Sequence, residues 1–284
     1  NALQGGGIKM MRNSILDASD ANASTTIKTN GYALEIGAHD DANSSGNFEQ
    51  AASHNVKASF NNAVFTTNGT STDPLITATG TRKDLIFVDQ GQSGTQLNFT
   101  GAGTNLTANP NGYIVNVSGN YTAPNYVYYS NTYAAGAELL GQNYFDGSSV
   151  TFNATDAGSM TGLVYKGLVK NTQTLTTTKA PTLDLNLSNG FTWNLSKNLS
   201  APNADTETAF FDTATISNGA TINGAYGTLA NNYTLSGNVV SNGGIINLRD
   251  GAAGDKLTIN GNYSANNGIV NLDTVLGDDT SATD

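Results

Sequence analysis

The chain has 284 residues with 12 Lys and Arg against 22 Asp and Glu, a formal net charge of −10, and no Cys. The acidic balance argues against nucleic acid as a partner, because phosphates would be repelled rather than neutralised. The absence of Cys excludes a disulfide framework, a thiol nucleophile and a thiolate metal site. No apolar run approaches the ~20 residues that a membrane-spanning helix needs.

Alternation of apolar and polar residues, which is the period of a β-strand, recurs along the whole chain. Between these segments stand Asn-Gly, Ser-Gly and Gly-Gly pairs such as Asn68-Gly69, which supply the positive φ that tight turns require. The sequence therefore predicts an all-β chain of short strands. The predicted apolar faces lie at Val56, Ala58 and Phe60; Leu85 and Phe87; Leu97 and Phe99; Tyr113, Val115 and Val117; Leu183, Leu185 and Leu187; and Phe191, Trp193 and Leu195.

An internal repeat dominates the C-terminal third of the chain. The segment 237–248 returns as 261–272 with seven of twelve positions identical, and shorter copies lie at 218–223 and 189–195. The alignment places one apolar residue of each copy in a shared column, which predicts that these residues stack in the core. The column holds Trp193, Ile222, Ile246 and Val270, and a polar column beside it holds Asn194, Asn247 and Asn271.

A unit of about 24 residues with two or three short strands cannot bury its own apolar face, so it must stack on copies of itself. Stacked coils of this kind form a parallel β-helix, in which aligned Asn and Thr side chains can hydrogen-bond along the axis at a spacing of about 4.8 Å. We expect one β-helical unit over 1–284 with about 12 coils. The most regular coils are expected over 210–284.

An aromatic cluster interrupts this pattern between residues 121 and 150, and Pro124-Asn125 precedes its densest part. The side chains of the run YVYY at 126–129 cannot all point inward from one strand, so at least one ring is expected at the surface. Tyrosine is a common contact residue for sugars and proteins. Tyr126, Tyr128 and Tyr129 are therefore candidate ligand contacts in an inserted segment; the alternative is that the rings cover the helix surface or stack on one another.

The C-terminal run from Asn242 to Asp284, including KLTINGNY at 256–263 and LDTVLGDD at 272–279, resembles the corresponding stretch of pertactin-like and AIDA-like autotransporter passenger domains. The resemblance is specific over about 210–284 and architectural from Asn1 to about Ser200. It implies a right-handed parallel β-helix exported by type V secretion in a Gram-negative bacterium. The passenger would be displayed at the cell surface through an outer-membrane barrel absent from this sequence, or secreted.

Typical roles of such passengers are adhesion to host cells or matrix, self-association between bacteria, biofilm formation and virulence. The resemblance therefore implies a surface adhesin without catalysis. Its partners would be a host glycoprotein or glycan, or another copy of the same chain. A β-helical polysaccharide-active enzyme, or a tailspike-like glycan-binding protein, is the alternative.

Some members of the wider family carry a trypsin-like protease, which needs Ser, His and Asp side chains together. The nearest set is Ser93 with His39 or His54 and Asp40, but Gln92 stands where that protease signature has Asp. We therefore interpret Ser93 as a turn serine and both histidines as surface residues.

Clustered carboxylates with a nearby Arg or Lys would favour the glycan-cleaving alternative. The acidic groups all lie in stretches rich in Gly, Ser, Asn or Thr, which is typical of turns, and the arginines Arg12, Arg82 and Arg249 are scattered. No calcium-loop spacing occurs, and two His without Cys argue against a zinc site. The sequence predicts no catalytic residue, cofactor or metal. The acidic groups are Asp40 with Asp41; Asp205, Glu207 and Asp212; and Asp278 with Asp279.

Overall fold

The computed structural model describes residues 6–10, 13–37, 55–70, 83–88, 92–117, 125–128, 131–134, 148–167, 180–199, 201, 205–227 and 230–274. These residues form β-strands joined by turns, and across the described ranges no helix is long and apolar enough to cross a membrane. The strands are β1 (Ile8–Met10), β2 (Ile15–Ala18), β3 (Thr25–Thr29), β4 (Leu34–Ile36), β5 (Lys57–Asn61), β6 (Ala63–Thr67), β7 (Ile86–Val88), β8 (Thr95–Thr100), β9 (Asn105–Thr107), β10 (Val115–Val117), β11 (Asn125–Tyr128), β12 (Asn131–Ala134), β13 (Ser149–Ala154), β14 (Ser159–Thr161), β15 (Val164–Lys166), β16 (Thr182–Leu187), β17 (Thr192–Asn194), β18 (Thr208–Ser217), β19 (Thr221–Asn223), β20 (Asn232–Asn242), β21 (Ile245–Leu248), β22 (Lys256–Ile259), β23 (Tyr263–Asn266) and β24 (Ile269–Leu272).

Three parallel sheets run side by side along the molecule. Sheet A has the order β1-β4-β7-β10-β15, and sheet C has the order β3-β6-β9-β14-β17-β19-β21-β24. Sheet B has the order β2-β5-β8-β13-β16-β18-β20-β22, and β23 also pairs with β20. Because the strands of these three sheets pair in parallel from one coil to the next, the chain is a parallel β-helix, as the sequence predicts.

The coils differ widely in length. In sheet C, Thr221 pairs with Ile245 and Ile245 pairs with Ile269, so the last two steps have the predicted length of one repeat. The step from Asn105 to Ser159 is more than twice as long. Within the described ranges sheet C is eight strands deep, fewer than the about 12 coils expected from a constant period, because the earlier coils are longer than the C-terminal repeat.

Most of the extra length lies at the corner between sheet A and sheet B. The chain passes from Ile36 to Lys57, from Val117 to Ser149 and from Lys166 to Thr182 between consecutive strands of these sheets. The second of these connections contains β11 and β12, which pair with each other in an antiparallel hairpin outside the three sheets. Insertions can therefore lengthen a coil without disturbing the register of the stack.

Inward side chains of successive coils stack into continuous apolar columns. Phe60 and Phe99 lie with ring centroids 5.5 Å apart, and Phe99 and Phe152 lie 5.2 Å apart, all fully buried. Burying an aromatic side chain of this size contributes about 1.5–3 kcal/mol. The apolar columns are therefore the main stabilising feature of the rod.

The predicted column through the repeats is confirmed in its register. Trp193 pairs with Ile222, Ile222 with Ile246, and Ile246 with Val270. The first three are buried, whereas Val270 is 50% exposed because it lies on the last described coil and no later described strand covers it.

The predicted pairing of Leu85 with Phe87 on one apolar face is wrong. Strand β7 begins at Ile86, and its inward residues Ile86 and Val88 are fully buried, while Phe87 points outward and stacks on Tyr32 at 4.8 Å. Leu85 is buried before the strand begins. An unbroken apolar run therefore masks the true alternation in this segment.

Asn-Gly pairs make turns between sheet B and sheet C, as the sequence predicts. Asn189 and Gly190 have φ of 54° and 83°, and Asn218 and Gly219 have φ of 49° and 79°. Asparagine and glycine adopt this left-handed region at the smallest cost.

Candidate functional site

The outward surface of sheet C is long, regular and almost without charge. We call it the sheet C face. Of its sixteen side chains only Lys28, near the N-terminal end, is charged. The face consists of Thr26, Lys28, Val64, Thr66, Asn105, Thr107, Ser159, Thr161, Thr192, Asn194, Thr221, Asn223, Ile245, Asn247, Ile269 and Asn271.

Hydrogen bonds between coils hold part of this face in place. Asn223 Nδ2 donates to Asn194 Oδ1 at 2.9 Å, and Asn247 Nδ2 donates to Asn223 Oδ1 at 3.1 Å. Asn271 continues the same column in register. The polar column predicted from Asn194, Asn247 and Asn271 is thus an asparagine ladder, and Asn223 belongs to it as well.

A second asparagine ladder lies on the outer side of sheet B. Asn186 Nδ2 donates to Asn153 Oδ1 at 2.9 Å, Asn153 Nδ2 donates to Asn98 Oδ1 at 2.8 Å, and Asn98 Nδ2 donates to Ser59 Oγ at 3.2 Å. We call Asn98, Asn153 and Asn186 the sheet B ladder. The repeat does not predict it, because its asparagines are separated by 55 and 33 residues. The only signal in the sequence is the shared alternation of strand residues around each asparagine.

A shallow groove of about 230 Å³ follows the sheet B ladder along the helix axis. One wall is the ladder itself, and the other wall is formed by Thr100, Thr155 and Ser188, which lie two residues further along the chain in each coil. Phe99 and Ala154 are buried beneath it and form its floor. The lining therefore carries amides and hydroxyls but no charged side chain.

The acidic residues singled out in 205–212 do not form an isolated carboxylate cluster. Glu207 pairs with Lys197, and Asp212 pairs with Lys166 while its Oδ2 also accepts a 2.8 Å hydrogen bond from the backbone N–H of Leu183. Both carboxylates thus form ion pairs with lysines from other segments of the chain. Asp205 is half-buried.

Of the other acidic pairs and arginines that the sequence singles out, only Arg249 lies within the described residues. Arg249 Nε lies 3.6 Å from Asp273 Oδ1. Arg12, Arg82 and the pairs at 40–41 and 278–279 lie outside the described residues.

Asp184 lies on the outer side of sheet B close to the pair of Asp212 with Lys166. Burial, and secondarily the charge of Asp212, raise the pKa of its carboxyl, and hydrogen bonds from Thr213 and the charge of Lys166 offset part of the rise. Asp184 is two residues from Asn186 in β16. Its carboxyl therefore lies beside the sheet B ladder and not within the groove lining.

An aromatic and polar cluster lies beside sheet A, around the buried Tyr113 that precedes β10. The rings of Tyr113 and Tyr165 stack at 4.9 Å, and Tyr165 meets Phe210 edge-on at 5.6 Å. Asp84 Oδ1 accepts from the backbone N–H of Tyr113, and its Oδ2 accepts from Asn116 Nδ2, both at 2.8 Å. Burial raises the pKa of Asp84, and these two hydrogen bonds counter the rise in part. The sequence alone does not predict these contacts.

The tyrosines predicted as ligand contacts belong to the hairpin segment. Tyr126 and Tyr128 lie in β11, where Tyr126 is opposite Tyr133 and Tyr128 is opposite Asn131. Tyr129 lies outside the described residues. The backbone thus places two of the three candidates on an element in the connection between sheets A and B.

Of the Ser, His and Asp set considered as a protease site, only Ser93 lies within the described residues. Ser93 is exposed, and its carbonyl oxygen accepts a 2.8 Å hydrogen bond from the N–H of Asn55. His39, His54 and Asp40 lie outside the described residues. Within the ranges that the structure covers, no three His, Asp or Glu side chains converge as they would around a metal ion.

Compared with known protein families, curated proteins and solved structures, the chain has no significant match.

Proposed function

We propose that this chain is a non-catalytic adhesion and self-association module displayed on a bacterial surface. The observation that carries the proposal is the sheet C face, which spans eight coils with a single charged side chain on a chain whose net charge is −10. Seven steps of about 4.8 Å give this face a length of about 34 Å.

Electrostatics favour the sheet C face as the surface on which copies meet. Two acidic chains repel each other at long range, and the repulsion is smallest where the facing surfaces lack charge. Threonine supplies a methyl group and a hydroxyl, and asparagine supplies an amide, at a constant spacing along the face. Two copies can therefore form many weak contacts in several registers.

Contacts of this kind suit adhesion between surfaces that display many copies. A single pair of faces binds weakly, but the second and later contacts between two surfaces form at high effective concentration. The resemblance of 242–284 to autotransporter passengers supports a place at the cell surface, and the parallel β-helix is the fold which that resemblance implies. Attachment to host cells or matrix, with the Tyr-rich hairpin segment as contact, belongs to the same proposal.

Purified chain and chain-coated beads test the proposal. We expect wild-type chain to self-associate in sedimentation experiments and coated beads to clump, without cleavage of added peptides or polysaccharides. The double substitution Thr107→Glu and Thr221→Glu places two charges on the sheet C face and should abolish both effects. Thr258→Glu with Ser264→Glu adds the same charge at two exposed positions of sheet B and is the matched control.

Three results would contradict the proposal. The wild-type chain could remain monomeric while its beads neither clump nor attach to cells or matrix. The two double variants could lose self-association equally, which would indicate a general charge effect and not a specific face. Turnover of a polysaccharide would indicate the enzymatic alternative.

A further inference from the structure

The groove beside the sheet B ladder is built from neutral hydrogen-bonding groups in two parallel columns. Asn98, Asn153 and Asn186 form one column, and the other consists of Thr100, Thr155 and Ser188. In each coil the two columns are two residues apart along the chain, and successive coils are about 4.8 Å apart. The groove thus offers a regular grid of polar groups over three coils.

The hydrogen bonds inside the ladder leave groups free to bind a ligand. Each ladder asparagine donates one Nδ2 hydrogen to the preceding coil, and its second Nδ2 hydrogen is not used in the described contacts. Thr155 Oγ1 accepts from Asn189 Nδ2 at 2.9 Å and keeps its own hydrogen for donation. The ladder also fixes each amide in one orientation, so little side-chain entropy is lost when a ligand binds.

Charge defines the class of ligand. The groove lining has no charged side chain, while Asp184 and Asp156 lie close beside it. Asp156 Oδ2 accepts from the N–H of Gly101, and Asp184 is two residues from Asn186 in the same strand. Anionic polymers such as sulfated or uronic acid polysaccharides would be repelled at this position.

We propose that this groove binds a neutral glycan chain lying along the helix axis. The inference rests on the proposed adhesive function and names a ligand class for it. Sugar hydroxyls both donate and accept hydrogen bonds, which matches a lining of amides and hydroxyls. An extended chain of pyranose rings repeats at a distance close to one coil, so successive rings can meet equivalent groups on successive coils.

An extended peptide fits this site less well. Peptides are commonly bound by adding a strand to an open sheet edge, through backbone hydrogen bonds. Strands β8, β13 and β16 are all interior strands of sheet B, paired on both sides. The groove therefore presents side chains and not free backbone groups.

Binding of the purified chain to defined polysaccharides tests this proposal. The probes are dextran, mannan, cello-oligosaccharides and chito-oligosaccharides as neutral glycans, with heparin and polygalacturonate as anionic ones. We expect measurable binding to at least one neutral probe and none to the anionic probes. Asn153→Ala should weaken that binding about tenfold, as expected for the loss of a hydrogen-bonding group that contacts the ligand.

Asn223→Ala is the matched control, because Asn223 occupies the middle of the sheet C ladder as Asn153 does in the sheet B ladder. Both variants break a ladder and should lower the melting temperature similarly, but only Asn153→Ala should lose glycan binding. Ser188→Trp fills the groove without removing a ladder amide, and it should abolish binding with the ladder intact.

The proposal is overturned if no neutral probe binds, if an anionic probe binds better, or if Asn223→Ala loses affinity as strongly as Asn153→Ala. Bead clumping distinguishes a failure of the glycan proposal from a failure of the proposed adhesive function. If beads clump but no glycan binds, the adhesive function is retained and only the proposal of a glycan in the groove is rejected. Loss of clumping and attachment in the wild-type chain would remove the adhesive function itself.

Discussion

The indole nitrogen of Trp193 donates a 2.9 Å hydrogen bond to the carbonyl oxygen of Gly162, which belongs to the preceding coil. Trp193 is fully buried, and its ring meets Phe211 edge-on at 6.0 Å. Gly162 has a φ of 132°, and a Cβ at this position would lie 2.7 Å from Cβ of Ala108. The indole thus bonds to the backbone of the coil before it, at a glycine that a side chain would force against Ala108 of the next coil back.

Replacement of Trp193 by Ala should strongly destabilise the rod. The change removes a buried ring and leaves the carbonyl oxygen of Gly162 without its donor, and large-to-small changes of this kind cost about 3–5 kcal/mol. Urea unfolding measures the free energy change. Tyr226→Ala is the control, because Tyr226 is 45% exposed and its replacement should cost under about 1 kcal/mol. Similar losses in both variants would contradict a core role for Trp193.

The apolar column through the repeats makes a second stability prediction. Ile246→Asp places a carboxylate in a buried position paired with strands on both sides, and it should cost several kcal/mol. Asn262→Asp changes an exposed turn residue, whose backbone N–H donates to Asn238 Oδ1, and should cost little. Thermal unfolding of the two variants compares them directly. Equal losses of melting temperature would refute the assigned register.

The sequence predicts the C-terminal coils well because their period is constant. The spacing from Ile222 to Ile246 equals that from Ile246 to Val270, so alignment alone assigns inward and outward positions. The same reasoning fails in the earlier coils, where Asn98 and Asn153 are in register but 55 residues apart. No fixed period connects these residues, and their pairing depends on connections that leave the stack and return.

The sequence likewise predicts one part of the candidate site and not the other. The sheet C ladder follows from the repeat, but the groove beside Asn153 depends on side chains from three coils of unequal length.

Phe87 shows a second reason why the sequence alone mispredicts a position. In the apolar run 85–88, alternation cannot identify the outward residue, and only pairing with neighbouring strands places Phe87 at the surface.

Asp84 should make stability depend on pH. Because burial raises its pKa in the folded chain above the ordinary value of 3.8, the folded state binds more protons than the unfolded state in the interval between these two values. This contribution to stability is present below the ordinary pKa and is lost as pH rises through the folded pKa.

Asp84→Asn removes this titration. We therefore expect the free energy of unfolding of the wild type, minus that of the variant, to fall as pH rises from about 4 towards neutrality. Urea unfolding at several pH values measures the difference, and other acids such as Asp184 cancel because they are common to both proteins. Parallel pH profiles would contradict the raised pKa. A difference in the free energy of unfolding that does not depend on pH is also expected. The amide group introduced by the substitution would face one of the two donors that bond to Asp84.

The Tyr-rich hairpin should contribute to attachment and not to the stability of the rod. Among the described strands β11 and β12 pair with each other and not with the three parallel sheets, so replacing Tyr126, Tyr128 and Tyr129 by Ser should leave those sheets intact. Each ring removed takes away apolar contact area worth on the order of 1 kcal/mol or more in a binding site. We expect coated beads carrying the triple variant to attach less to host cells or matrix, with an unchanged melting temperature.

Tyr226→Ser with Tyr263→Ser is the control for this prediction, because both tyrosines are exposed, at 45% and 42%, and lie outside the hairpin. That double variant should attach as the wild type does. Attachment that survives the triple substitution but is lost in Thr107→Glu with Thr221→Glu would assign host binding to the sheet C face. Equal loss in the triple variant and the tyrosine control would indicate a general dependence on surface aromatic area and would remove the hairpin as the specific contact.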